Sequence, residues 1–103
     1  MEELELIIFQ IISAAGGAKS NYMEAISAAR EGDFDRAAAL MKEGDEIYKE
    51  GHAVHFDLVQ KEASGNGVPV GLLLVHAEDQ MMSAELTRSM AEEFIFLYQE
   101  RIK

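Results

Sequence analysis

The chain has 103 residues, of which 49% are apolar, so it can bury one hydrophobic core, and a single domain is expected over residues 1–103. It contains no cysteine, which excludes disulfides, thiolate nucleophiles and cysteine-ligated metals. The formal net charge of −10 disfavours binding to nucleic acid and to anionic membrane surfaces, which are recognised mainly through Lys and Arg. The acidic start and the lack of an apolar run of roughly 20 residues favour a cytoplasmic protein without membrane insertion.

The first predicted helix runs from Glu3 to about Glu31. Its apolar residues recur at alternating steps of three and four, which is the spacing of a buried helical stripe. The stripe comprises Leu4, Ile8, Ile11, Ala15, Ala18, Tyr22, Ala25 and Ala29. Gly16 and Gly17 interrupt the pattern, and each lowers the stability of the helix by about 1 kcal/mol relative to alanine. The pair should therefore mark a bend or the close approach of a neighbouring helix.

The first connection is short and well specified. Gly32 is expected to end the first helix in a left-handed conformation. Asp33 then offers its carboxylate to the free backbone amides of the second helix, which runs from Phe34 to about Ala63. The next segment, 64–69, is rich in residues that leave helical geometry cheaply and ends in the lone proline of the chain.

A third predicted helix runs from about Val70 to Arg101, which favours an all-α fold, an antiparallel up-down-up three-helix bundle. At roughly 100° per residue, its apolar residues occupy two nearly opposite sides. The side expected to face the first two helices comprises Val70, Leu73, Leu74, Ala77, Met81, Ala84, Ala91, Ile95 and Tyr98. The other side comprises Leu72, His76, Asp79, Ser83, Leu86, Met90, Phe94 and Leu97. A three-helix monomer covers only one of these sides, so we predict a homo-oligomer through helix three.

His76 and Asp79 lie three positions apart on this second side, and therefore on one helical face. A carboxylate on an apolar stripe is unfavourable unless it is paired, so its presence there indicates a function. If helix three repeats around a symmetry axis, Asp79 of each subunit converges near the axis. Mg²⁺ or another hard divalent cation would resolve the repulsion between these carboxylates. A metal-binding helical protein that uses His76 and Asp79 together is a further hypothesis.

Four motifs carry a resemblance to a known family. They are Ala15-Gly16-Gly17-Ala18-Lys19-Ser20, Gly32-Asp33-Phe34, Glu62-Ala63-Ser64-Gly65 and His76-Ala77-Glu78-Asp79-Gln80-Met81-Met82. In order, spacing and total length the chain resembles the enzyme IIA component of the bacterial phosphoenolpyruvate-dependent sugar phosphotransferase system (PTS), in its lactose, cellobiose and chitobiose class.

The resemblance implies a three-helix bundle that assembles as a homotrimer. It implies that His76 is the catalytic nucleophile, which accepts a phosphoryl group from the histidine phosphocarrier protein HPr. His76 then passes this group to a cysteine of the cognate IIB component during uptake of a β-linked disaccharide such as cellobiose, chitobiose or lactose. Asp79 of each subunit would bind a structural divalent metal at the trimer axis. The sugar itself would be bound by the membrane component and not by this subunit.

The chain departs from the family pattern around the active histidine. Relatives usually carry Gln where this chain has Glu78, and a second His where it has Gln80. In helix two they tend to read His-x-x-Gln, where this chain has His52 and His55. We hypothesise that His55 and Gln80 face each other across helices two and three, so that the two residue types have exchanged positions. Glu78 should point away from the pocket of His76, because successive helical positions diverge by roughly 100°.

One alternative function follows if these departures have abolished transfer. The chain would then be a non-catalytic helical interaction module that assembles as an oligomer and scaffolds other proteins. His52 is open to two interpretations, as a group that faces a partner or the active site and as a plain solvated residue.

Overall fold

The structure is a computed structural model that describes residues 3–102. Over this range the chain forms three α-helices and no strand: α1 (Glu3–Arg30), α2 (Phe34–Ala63) and α3 (Leu72–Arg101). They form an elongated bundle of 54 × 24 × 20 Å. The predicted all-α, three-helix fold is therefore confirmed. None of the helices in this part of the chain has the length and apolar character needed to cross a membrane.

The first connection is built as the sequence predicts. Gly32 has a positive φ of 86°, and its N–H donates to the carbonyl of Ala29 at 2.9 Å, which closes the end of α1. Asp33 Oδ1 accepts a hydrogen bond from the backbone N–H of Arg36 at 3.1 Å and so caps α2. Local hydrogen bonds thus define the turn between α1 and α2.

The third helix begins at Leu72 and not at Val70. Gly71 precedes it with an extended backbone (φ −134°, ψ 175°) and has no side chain to cap the first turn. Val70 therefore lies in the connection, where it is 75% exposed, and the prediction that it belongs to the core is wrong. Leu73 is also exposed, to 37%, because Leu74 takes the buried position of this first turn.

Helix α1 is the central element, since it packs against both α2 and α3 while those two helices contact each other much less. Its buried residues are mostly alanine: Ile8, Ile11, Ala14, Ala15, Ala18, Tyr22, Ala25, Ala28 and Ala29. Small side chains let helix axes approach closely. The bundle is therefore held by a narrow core along α1, in which Tyr22 and Ile11 are the largest fully buried side chains.

Three glycines mark the close approach between α1 and α2. A Cβ atom at Gly44 would lie 2.6 Å from Cε1 of Tyr22. A Cβ atom at Gly51 would lie 2.7 Å from the Cβ of Ala14, and one at Gly17 would lie 3.3 Å from Cγ2 of Ile47. By contrast, nothing lies within 4 Å of a Cβ placed at Gly16. Helix α1 continues through the glycine pair, so the predicted close approach is confirmed at Gly17.

The two apolar sides of α3 differ sharply in burial. The buried side comprises Leu74, Ala77, Met81, Ala84 and Ala91. On the other side, Leu72, Leu86, Met90, Phe94 and Leu97 are exposed to between 40% and 86%. One chain therefore leaves a continuous apolar face uncovered along α3, as the sequence pattern predicts. The oligomer inferred from this face stays a prediction.

We predict that Gly51→Ala lowers the free energy of unfolding by about 1–3 kcal/mol, because the added methyl group overpacks the contact with Ala14. The matched control is Gly16→Ala, which removes a glycine from a helix without creating a contact and should raise stability by up to about 1 kcal/mol. Urea unfolding at a single protein concentration measures both changes. Equal effects of the two substitutions would contradict the close packing at Gly51.

Candidate functional site

His76 lies in the second turn of α3, on the side that faces away from α1. The next residue, Ala77, is completely buried against the bundle, whereas the imidazole of His76 is exposed. Within residues 3–102 the ring has no hydrogen-bond or ion-pair partner. Asp79, one turn further along, is exposed on the same side. The structure thus presents an accessible nitrogen nucleophile and a carboxylate together on a helix whose opposite side is packed.

Three polar contacts connect α2 and α3. Nε2 of His55 lies 2.6 Å from Oε1 of Glu78. The hydroxyl of Tyr48 donates to Oε1 of Glu85 at 2.8 Å. The third contact joins Asp45 to Arg88, whose Nε and Nη2 donate to the two carboxylate oxygens at 2.7 and 3.0 Å. The line of contact between α2 and α3, on which these three pairs lie, is called the α2–α3 seam below. Since α2 and α3 are antiparallel, the three contacts define one register along it.

This register gives His55 a different partner from the one hypothesised. The hydrogen bond of His55 goes to Glu78, and the half-buried Gln80 makes none within the described residues. Glu78 turns towards α2, where its carboxylate meets His55. His55 and Glu78, the two positions at which the resemblance leads one to expect Gln, are therefore in direct contact. His52 is exposed, and its ring lies 5.9 Å from that of Tyr48.

A network at the middle of the bundle was not anticipated from the sequence. The hydroxyl of Tyr22 donates to Oδ1 of Asp45 at 2.6 Å, and Arg88 also pairs with Glu92. The hydrogen bonds from Arg88 hold the pKa of Asp45 below its usual range. Burial, followed by the hydrogen bond to Asp45, raises the pKa of Tyr22. The sequence contains one signal for this network. Tyr22 lies on the core stripe of α1, and a buried hydroxyl group requires a hydrogen-bond partner.

A cleft of about 250 Å³ lies between the end of α2, the second connection and the start of α3. Its polar lining residues are Glu62 and Glu78. The apolar lining comprises Leu58, Val59, Val68, Val70, Leu74 and Val75. Val75 directly precedes His76, so the cleft borders the segment of α3 that carries the imidazole.

Asp79 is the residue that the sequence predicts as a metal ligand. No group of three or more His, Cys, Asp or Glu residues that could hold a metal ion occurs within residues 3–102. Asp79 supplies one carboxylate per chain, in an exposed position on the uncovered side of α3. Carboxylate oxygens are the ligands that Mg²⁺ prefers, so the chemistry of Asp79 fits a hard cation that is shared between chains.

Comparisons of the sequence assign the chain to a family. Residues 6–99 match the family model described as PTS system, Lactose/Cellobiose specific IIA subunit. The lichenan-specific phosphotransferase enzyme IIA component of Bacillus subtilis (strain 168) is 41% identical over 99 residues, which cover 96% of this chain and 90% of that protein.

Solved structures agree with this assignment. The crystal structure of the PTS cellobiose-specific enzyme IIA from Bacillus anthracis matches with a TM-score of 0.94 and 37% identity, over 97% of this chain and 92% of that chain. A chain in the solution structures of the IIA(chitobiose)–HPr complex, from the N,N′-diacetylchitobiose branch of the Escherichia coli phosphotransferase system, matches with a TM-score of 0.85 and 32% identity over 100% of both chains.

The chain is thus a phosphotransferase component. It belongs to the lactose/cellobiose-specific IIA family of the sugar phosphotransferase system, and the resemblance found from the sequence motifs is confirmed.

The contact between Asp45 and Arg88 predicts a pH-dependent stability. Because the pKa of Asp45 is lower in the folded than in the unfolded chain, its ionised form stabilises the fold above the unfolded pKa of about 3.9. This contribution is lost as the pH falls through the folded pKa. The free energy of unfolding should therefore be higher for the parent than for Asp45→Asn at pH 7, and the difference should shrink in acid. Asp57→Asn, at an exposed position of α2, matches the change in net charge, and an equally large, pH-dependent loss in that variant would contradict the assignment.

Proposed function

We propose that this chain is a cytoplasmic phosphocarrier that accepts a phosphoryl group on His76 from HPr and passes it to the cognate IIB component. Two observations support the proposal together: the chain belongs to the IIA family, and the imidazole of His76 is exposed and unpaired within the described residues. A carrier that serves two protein partners in turn needs a nucleophile that both can reach. The IIA(chitobiose) protein in complex with HPr supports HPr as the donor.

Each transfer exchanges one bond to phosphorus for another. A ring nitrogen of His76 forms a bond to the phosphorus as the N–P bond of the phosphohistidine on HPr breaks. In the second step the thiolate of IIB forms an S–P bond as the N–P bond on His76 breaks. Such in-line transfer depends mainly on positioning and on stabilisation of charge. Helix α3 supplies the positioning, since the buried Ala77 and Met81 anchor the turn that carries the imidazole.

The pathway we propose imports a β-linked disaccharide such as cellobiose, chitobiose or lactose. The names of the relatives support this class, since they refer to lichenan, lactose, cellobiose and chitobiose. In this proposal the subunit carries only the phosphoryl group, and the sugar is bound by the membrane component.

The functional assembly we propose is a homotrimer in which copies of α3 cover each other's uncovered apolar sides. The exposed side chains Leu72, Leu86, Met90, Phe94 and Leu97 support this arrangement, because a long apolar face in water promotes association. His76 lies at the edge of the same face. HPr and IIB would then approach the imidazole at a groove between neighbouring subunits.

Asp79 would place one carboxylate from each subunit near the trimer axis. We assign these carboxylates to Mg²⁺ or another hard divalent cation, since such ions take oxygen ligands. Its contribution would be to neutralise the repulsion between the Asp79 side chains, which is a structural role in assembly.

The first test is phosphorylation of the purified chain by phosphoenolpyruvate, enzyme I and HPr. The parent should gain one acid-labile phosphoryl group, and His76→Gln should gain none, since an amide cannot replace the imidazole as nucleophile. His52 and His55 remain in this variant, so residual label would report on them. A parent chain that stays unlabelled would overturn the proposal and favour the interaction module.

The second test concerns assembly. Asp79→Leu should keep or strengthen the trimer, because it removes like charges from the axis and adds apolar surface, while the metal content falls to background. Light scattering measures the mass and elemental analysis the metal. Asp57→Leu, at an exposed position of α2, should retain the metal. Monomers of the Asp79→Leu variant would rule out assembly through this side of α3.

A further inference from the structure

The contact between His55 and Glu78 pairs an imidazole on α2 with a carboxylate that lies two positions after His76 on α3. Nε2 of His55 lies 2.6 Å from Oε1 of Glu78, which is within hydrogen-bonding distance. A carboxylate only accepts, so Nε2 carries the donated hydrogen. The two side chains therefore form one unit, a donor on α2 and an acceptor on α3.

The surroundings make the carboxylate dependent on this histidine. The side chain of His55 is 21% exposed and that of Glu78 is 45% exposed, so Glu78 reaches from the surface towards a more buried donor. The adjoining cleft offers Glu78 only apolar side chains and a second carboxylate, Glu62. Within the described residues, His55 is thus the one group that binds Glu78.

Glu78 is close enough to His76 along α3 for its charge to affect phosphoryl transfer. Glu78 follows His76 by two positions, which places their Cβ atoms roughly 200° apart around α3. A glutamate side chain is long and flexible, and without a partner at 45% exposure it samples many rotamers. A phosphoryl group on a side chain carries a charge of roughly −2, so each rotamer that approaches it raises the energy of the phosphorylated state.

We infer that His55 is a positioning residue for phosphoryl transfer, which binds the Glu78 carboxylate on the α2 side of α3 and so keeps this negative charge away from the phosphoryl group on His76. The inference rests on the proposed function and deepens it. Within the described residues the hydrogen bond of His55 goes to Glu78 and not to His76, so His55 acts through Glu78.

A double-mutant cycle tests this role in the full chain. The initial rate at which His76 is phosphorylated is measured at limiting phosphorylated HPr for the parent, His55→Ala, Glu78→Gln and the double variant. His55→Ala should slow transfer about threefold to tenfold when residue 78 is Glu, and less than about twofold when it is Gln, because a neutral amide repels no phosphoryl group. Equal slowing in both backgrounds would overturn the inference.

The salt dependence of the rate distinguishes an electrostatic effect of His55→Ala from a structural one. The ratio of parent to His55→Ala rates should fall towards one between about 0.01 M and 1 M salt, since the Debye length shrinks from roughly 30 Å to 3 Å. A defect of folding would persist at high salt and would contradict the positioning role. Thermal unfolding and light scattering of each variant confirm that the four proteins are folded and equally assembled.

Tyr48→Phe is the matched control for the seam. It removes the hydrogen bond to Glu85, which lies two turns from the His55 contact, and should change the transfer rate by less than about twofold. A rate loss as large as that of His55→Ala would assign the effect to the seam as a whole and overturn the inference. The parent and His76→Gln are measured in every series. A parent that gains no phosphoryl group overturns the proposed function. A parent that is labelled, together with a His55→Ala variant of unchanged rate, overturns the positioning role alone.

Discussion

The close approach of α1 to its two neighbours is the constraint on which the rest of the structure depends. The buried side of α1 is mostly alanine, and Gly51 brings the backbone of α2 against Ala14. With such small residues the core is narrow, and α2 and α3 each rest on α1 more than on each other. Apolar packing therefore fixes two of the three helix interfaces, and longer polar side chains span the third.

This packing also decides how the candidate site is presented. Ala77 is fully buried against the bundle, so the neighbouring His76 must point outwards. The imidazole is carried by a helix that is anchored on its opposite side, and no moving segment is needed to expose it. Such a surface suits a group that is received from one protein and handed to another, since the positioning is complete before either partner arrives.

Acidic side chains along the α2–α3 seam are held by hydrogen bonds. The chain carries a formal charge of −10, and the phosphoryl group of the proposed function would make it more negative. Each of the three contacts across the seam gives a carboxylate a donor: Arg88 for Asp45, Tyr48 for Glu85 and His55 for Glu78. The seam that sets the separation of the helices thus also holds acidic side chains in defined positions, including the one nearest to His76 in the chain.

The sequence by itself determined the three helices, their caps at Gly32 and Asp33, the two apolar sides of α3 and the family, because these depend on spacing along one helix and on local turn chemistry. It placed the start of α3 two residues early, since apolar periodicity continues through Val70 although the uncapped Gly71 delays the helix. Only the tertiary structure decided that His55 meets Glu78 and not Gln80. The register between two helices is set by how both pack on a third, and that information is absent from the periodicity of either helix alone.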